Sequence, residues 1–235
     1  MLTALLDLVL PASCAACGCP GRELCSACAA ELLAPALGPH SPSPRPAGLP
    51  QLVVARPYAG VARAALLAHK ERGRLRLVRP LGDALGAALR TLELPVTTLV
   101  VPVPSSRAAV RARGFDHARR LARAGARAAG LRPAALLVPV RAVADQSGLT
   151  TAGRAANLAG ALRARRDLSG LDVVVVDDVV TTGATLVEAA RALASAGARV
   201  RGAACVAGTL RRPAHPSTHL SAPAGGQDGW SADRI

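Results

Sequence analysis

Apolar positions along this chain follow two periods. QLVVARPY (51–58), TTLVVPVP (97–104), AALLVPV (134–140), LDVVVV (171–176) and ARVRGAACVAG (198–208) are short, nearly continuous apolar runs. Runs of that length, rich in valine and bounded by proline or glycine, predict strands buried on both faces. Between them lie segments with helical spacing: GVARAALLAH (60–69), LVRPLGDALGAALRTL (77–92), FDHARRLARAGARAAG (115–130), TTAGRAANLAGALRAR (150–165) and GATLVEAARALASAG (183–197). Thr150 or Thr151 is a plausible N-cap for the fourth. Strands alternating with helices predict an α/β fold with a doubly wound, mostly parallel sheet.

The flanks break this rhythm. In MLTALLDLVLPASC, Leu2, Leu5, Leu6 and Val9 fall on one helical face. Asp7 interrupts the apolar run and no basic region precedes it, so a short amphipathic helix is expected rather than a secretion signal. PALGPHSPSPRPAGLP (35–50) has the composition of a linker, and the stretch from Pro213 that of a disordered tail. The expected organisation is a module over 1–34, a linker over 35–50, one domain over 51–212 and a tail over 213–235. His40, His215 and His219 fall in the linker and the tail and are expected to face solvent. No apolar run reaches the roughly 18 residues of a membrane span, so no membrane insertion is expected and the cytoplasm is the expected location.

Composition adds two constraints. Of 235 residues 51% are hydrophobic but only 1% aromatic, so the core must be aliphatic. Lys+Arg number 29 against 15 Asp+Glu, a formal charge of +14, and Lys70 is the single lysine. An Arg-, Ala-, Gly- and Pro-rich genome accounts for that excess; so does an anionic partner such as phosphates or nucleic acid. Arg119, Arg120, Arg123 and Arg127 recur at spacings that share a helix face, a candidate surface for non-specific DNA contact.

The cysteines carry the first candidate chemistry. C-A-A-C (Cys14, Cys17) and C-S-A-C (Cys25, Cys28) are two CxxC pairs separated by seven residues. That is the spacing of a tetrathiolate Zn²⁺ site, in which each pair supplies one knuckle. Cys19 lies between the knuckles as a spare. Cys205, inside AACVAG, has the surroundings of a small core residue.

The second candidate is VVVVDDVVTTGATL (173–186), an apolar strand that ends on two carboxylates before a hydroxyl-rich glycine turn and a helix. Ligands of open parallel sheets bind beyond the strands' carboxyl ends, and a helix N-terminus behind a glycine turn suits an anion. A sugar phosphate satisfies both halves, with its phosphate in the turn and ribose hydroxyls on the acids. A P-loop triphosphatase is excluded, because the chain has no G-x-x-x-x-G-K-[ST]. A phosphoacceptor receiver domain would need an early acid pair and a downstream lysine, and has neither here.

VVVVDDVVTTGAT resembles the 13-residue PRPP-binding signature of type I phosphoribosyltransferases at every position. Together with the paired CxxC motifs, HKERG, VVPVPSSRAAVRARGFDHARRLA and RAVADQSGLTTAGRAANLAGAL, the chain resembles the ComF family (ComFC/GntX-like) from residue 1 to about 210. The resemblance implies that Asp177 and Asp178 hold the ribose hydroxyls, and that Thr181, Thr182, Gly183, Ala184 and Thr185 hold the 5′-phosphate. It implies Mg²⁺ bound with PRPP. It makes Arg107, Arg111, Arg113 and Gly114 candidates for binding pyrophosphate, and puts Arg141, Gln146, Arg154 and Asn157 in the segment that corresponds to the family's mobile loop. Relatives acting on purine bases carry an acid where this chain has Thr181, which argues against purine salvage. The family's association with DNA uptake and competence leaves two readings. One is a phosphoribosyltransferase of unknown acceptor. The other is a non-enzymatic PRPP- or nucleotide-sensing adaptor that binds DNA or a competence protein. A homo-oligomer is open under both.

Overall fold

The computed structural model describes residues 13–140 and 158–209. The helix expected around Leu2–Val9, the segment bearing Arg141, Gln146, Arg154 and Asn157, and the tail with His215 and His219 lie outside the described residues.

A six-stranded sheet forms the centre. Its strands are β1 (Gly38–Pro39), β2 (Leu52–Pro57), β3 (Leu99–Pro102), β4 (Arg132–Pro133), β7 (Asp172–Val180) and β8 (Arg199–Gly208), in the order β1-β2-β8-β7-β3-β4. Every neighbouring pair is parallel except β1 with β2. β5 (Leu137–Pro139) and β6 (Leu162–Ala164) form a separate antiparallel pair. The helices are α1 (Ser26–Leu33), α2 (Gly60–Glu71), α3 (Val78–Arg90), α4 (Arg107–Arg113), α5 (His117–Ala128) and α6 (Ala184–Ala194).

The period-2 alternation of the strands divides the core in two. Val174, Val176, Val100, Val53 and Val206 face α2, α3 and α5. Val173, Val175, Val101, Val54 and Cys205 face α6 and the β5–β6 pair. Helices therefore cover both faces, as the doubly wound expectation required, and Cys205 is a buried core residue as its neighbours implied. Helix α1 is not a separate body: Leu32, Cys14 and Cys28 belong to the same apolar cluster as Leu81 and Leu85.

An aliphatic core without aromatic bulk gains its density by close helix contact. A Cβ added at Gly82 of α3 would stand 2.3 Å from the Ala124 Cβ of α5, and one at Gly86 would stand 2.5 Å from the Ala128 Cβ. Gly82→Ala must therefore separate two packed helices, and overpacking of that kind costs about 1–3 kcal/mol. Urea melts should show a lower midpoint with an unchanged slope; an unchanged midpoint would mean that the two helices yield freely.

Three elements depart from the sequence expectation. AALLVPV forms a strand, but in the β5–β6 pair rather than the main sheet. The helix expected over 150–165 does not reach its end, because Leu162–Ala164 is strand β6. The Pro-rich stretch 35–50 contributes β1 at the sheet edge and buries Leu49. His40 within it is half-buried rather than solvent-facing. Its Nε2 has no hydrogen-bond partner among the described residues, and burial lowers its pKa.

Candidate ribose-phosphate site

The chain leaves β3 toward β4 on one side, through α5, and leaves β7 toward β8 on the other, through α6. β3 and β7 are neighbours, with Pro102 opposite Val176. Their carboxyl ends therefore flank the topological switch point, where an open sheet has its ligand crevice. The acid pair, the turn after β7 and the loop after β3 all belong to these two ends.

β7 does not stop at the acids, as the run of four valines suggested; it continues through Asp177 and Asp178 to Val180. Alternation along it gives the acids different surroundings. Asp178 is buried on the α2–α5 side. Its Oδ1 accepts the Val179 N–H at 2.8 Å. Its Oδ2 lies 3.1 Å from Lys70 Nζ and 3.6 Å from His117 Nε2. Burial alone would push the Asp178 carboxyl up, but His117 and Lys70 outweigh it and hold the group below the usual carboxylate range. Asp177 is half-buried, and its Oδ1 accepts the Asp178 N–H at 2.8 Å. Desolvation and then the charge of Asp178 push its pKa well up, with Lys70 opposing. Asp178 is thus the ionised, anchored member of the pair, and Asp177 the member short of positive charge.

The turn after β7 has the form an anion cradle needs. Gly183 takes φ +80°, the left-handed conformation that glycine adopts without strain, and α6 starts at the next residue. Thr182 Oγ1 accepts the Ala184 N–H at 3.4 Å, while Thr181 is exposed and Thr185 half-exposed. A Cβ at Gly183 would stand 3.1 Å from Leu49 Cδ1 and 3.4 Å from Pro46 Cγ. The Pro-rich stretch therefore lies directly beneath this turn.

The loop after β3 leads into α4, where Ser106 caps the helix by accepting the Ala109 N–H at 3.1 Å. Arg107 opens α4 and Arg111 is exposed on it; Gly114 ends it at φ +73°, its N–H donating to Val110 O. Arg113, one of the candidate pyrophosphate arginines, reaches the acid cluster. Its Nη1 lies 3.4 Å from His117 Nδ1 and its Nη2 3.6 Å from Glu71 Oε1. Asp116 caps α5 through the Arg119 N–H and holds Ser105 Oγ at 3.2 Å. Arg113 donating to Nδ1 leaves the His117 proton on Nε2, the nitrogen nearest Asp178. Phe115 packs against buried His69, with ring centroids 5.8 Å apart, and carries Arg120 on its other contact at 5.7 Å.

His117 and Lys70 were not among the sequence-predicted site residues. Lys70 lies 108 positions from Asp178, so only the fold reveals the pairing. The signal available was indirect: a lone lysine inside HKERG, and a histidine at the first helical position after a capping aspartate.

A second cluster lies at the N-terminal end of the described residues. One ligand atom from each of Cys14, Cys17, Cys25 and Cys28 lies within 4.8 Å of the others. Cys17 Sγ and Cys25 Sγ are 3.6 Å apart, close to the roughly 3.8 Å edge of a tetrahedron with 2.3 Å metal–sulfur bonds. Cys25 N–H points at Cys14 Sγ and Cys28 N–H at Cys25 Sγ, at 3.4 and 3.5 Å. Burial resists ionisation of Cys14, but backbone N–H groups of Cys17, Cys25 and Ala16 bring its thiol down to about 5. Cys19 is not part of the four-sulfur set.

A phosphoribosyl transferase domain family matches residues 110–222, which include Arg111, Arg113, His117, the acid pair and the turn. The chain is 36% identical over 124 residues to DNA utilization protein YhgH of Salmonella typhi, across 52% of this chain and 55% of that protein. To YhgH of Salmonella typhimurium it is 44% identical over 71 residues, 30% and 31% of the two chains. The domain match and the YhgH likeness support a ComF-like, type I phosphoribosyltransferase-like protein. The matched region spans about half the length of the first YhgH relative and less of the second. A shorter likeness, 52% over 44 residues, joins the chain to ribose-phosphate pyrophosphokinase 2 of Archaeoglobus fulgidus, over 19% of this ComF-like chain and 16% of that protein. No helix among its described residues is long and apolar enough to cross a membrane.

Proposed function

We propose that the crevice binds PRPP and that the protein transfers its ribosyl 5-phosphate to an acceptor with loss of pyrophosphate. The observation that carries this reading is the acid pair at the switch point, followed within five residues by a left-handed glycine turn into a helix N-terminus. In it Thr181, Thr182, Gly183, Ala184 and Thr185 cradle the 5′-phosphate with hydroxyls and backbone N–H groups. Asp177 and Asp178 accept the ribose hydroxyls. Arg113, with Arg107 and Arg111 on the same helix and Gly114 allowing close backbone approach, receives the pyrophosphate.

The hard carboxylate oxygens of the pair and the phosphates of PRPP suit Mg²⁺, which keeps several waters and takes few protein ligands. When bound it supplies charge neutralisation to the departing pyrophosphate. The chain's own part is positioning and electrostatics: arginines meet the charge that grows on the leaving group while the acids fix the ribose. Pyrophosphate release from PRPP during a screen of amine and base acceptors tests transfer. Turnover with one acceptor supports it; tight PRPP binding without turnover on any acceptor assigns the chain to the sensing role.

Within this reading residues 1–34 form a structural Zn²⁺ module on Cys14, Cys17, Cys25 and Cys28, ahead of the phosphoribosyltransferase-like domain over 51–212. A cytoplasmic protein acting in DNA uptake is the setting proposed here, and the likeness to a DNA utilization protein supports its link to DNA.

One observation favours the adaptor reading. Arg120, Arg123 and Arg127 of α5 line a groove of about 620 Å³ with Arg79 of α3, against a single acid, Asp83. Arg119 is drawn off to Asp116 at 3.2 Å. If DNA lies on this face, its binding is sequence-independent, and three neutralised phosphates give a log–log salt slope of about −2 to −3. Alanine at Arg120, Arg123 and Arg127 should flatten that slope and leave PRPP affinity unchanged. Fluorescence anisotropy that detects no binding at roughly 50 mM salt removes the DNA role.

A further inference from the structure

Lys70 is the single lysine among 29 Lys and Arg residues, and the fold brings it to Asp178, one of the two acids on which the site depends. It lies in the last turn of α2, where a cation is favoured by the helix dipole. The preceding residue, His69, is 2% exposed, bonded through Nδ1 to Arg74 O and packed on Phe115. The backbone under Lys70 is therefore pinned, while its side chain is 34% exposed against 10% for Asp178. The ammonium sits at the mouth of the site with solvent on one side.

The geometry also explains why this cation is not an arginine. Asp178 Oδ1 accepts the Val179 N–H, while Oδ2 is the oxygen that Lys70 and His117 approach. A guanidinium fork wants two oxygens, whereas an ammonium is a point charge that one oxygen satisfies. That same Oδ2 is the atom a ribose hydroxyl must reach. Ribose and Lys70 therefore compete for it, and a ligand that offers the ammonium another anion ends the competition in its own favour. The nearby cation, Arg113, is partly engaged by Glu71 at 3.6 Å, which leaves Lys70 the more readily transferred charge.

We propose that Lys70 is a specificity-determining residue of the PRPP site: it holds Asp178 Oδ2 in the free protein and moves to the pyrophosphate at C1 of the bound ligand. Ribose phosphates that carry an anomeric pyrophosphate are thereby favoured over ribose 5-phosphate, which displaces the ammonium without giving it a partner. This rests on the proposed PRPP reading.

Calorimetry on the full chain with Mg²⁺, titrating PRPP and ribose 5-phosphate into wild type, Lys70→Met and Lys70→Arg, tests it. Removal of one charge-assisted contact corresponds to about a 10- to 100-fold loss. Lys70→Met should lose that much PRPP affinity and bind ribose 5-phosphate more tightly than wild type, so the preference between the two ligands collapses. Lys70→Arg keeps the charge and should fall between. A Lys70→Met protein that keeps the wild-type preference, or weakens toward both ligands equally, overturns the exchange and makes Lys70 a structural partner of Asp178. Wild type that binds neither ligand overturns the PRPP reading itself, and with it the role of Lys70. Matched circular dichroism spectra, with Lys70→Gln as a second neutral variant, separate these outcomes from misfolding.

Discussion

Asp177→Asn combined with Asp178→Asn should abolish the thermal stabilisation that PRPP gives the wild-type protein. At a ligand concentration about one hundred times Kd, binding to the native state contributes about 2.7 kcal/mol, which raises Tm by roughly 5–11 °C in a domain of this size. The double variant should show no shift, and an equal shift would mean that the pair is not the ribose site. The single variants should differ in the absence of ligand, because their surroundings differ. Asp178 is ionised against Lys70 and His117, so Asp178→Asn leaves those groups facing a neutral amide and lowers Tm. Asp177 has its pKa raised by desolvation and by Asp178, so Asp177→Asn holds or raises Tm at neutral pH. Linkage gives the two acids opposite signs. The contribution of Asp178, whose pKa is depressed, is present above the usual carboxylate range and lost as pH falls through its folded pKa. That of Asp177, whose pKa is raised, is present at low pH and lost as pH rises through its folded value.

Removing metal from the four-cysteine cluster should have the second large effect. A structural zinc in a small module supplies about 10–16 kcal/mol of apparent binding energy at neutral pH, far more than residues 13–34 can bury alone. Elemental analysis should give one zinc per chain, and chelation should unfold the module. Because Cys14, Cys28 and Leu32 share the core of α2, α3 and α5, and Arg56 donates to the Leu32, Ala34 and Pro35 carbonyls, the larger domain should lose stability as well. Cys14→Ser, at a buried position, should be more damaging than Cys17→Ser at an exposed one. Zinc-free protein with the module still folded under reducing conditions would contradict the assignment.

The parallel sheet was legible because strands buried on both faces need continuous apolar runs, and LDVVVV, TTLVVPVP and ARVRGAACVAG supply them. The cysteine cluster was legible because ligand spacing is local. What failed was anything decided by the partner of a run. AALLVPV has the pattern of a sheet strand, yet pairs with Leu162–Ala164, whose own three residues are too few to announce a strand inside ANLAGALRAR. The reach of β7 past Asp178 to Val180 was hidden because carboxylates read as a strand end, although here they point from a strand that continues. The Pro-rich stretch read as a tether on composition alone, while Leu49 and Pro46 are held by the Gly183 turn. Lys70 and His117 show the general limit: charge pairs between distant elements leave no periodic trace.

Isothermal titration calorimetry of PRPP into the wild-type chain, with and without Mg²⁺, decides whether the β3–β7 crevice is a PRPP site. A PRPP site should give saturable binding of one PRPP per chain, strengthened by Mg²⁺. Absence of any saturable heat with Mg²⁺, in protein that is folded and zinc-replete, would contradict it.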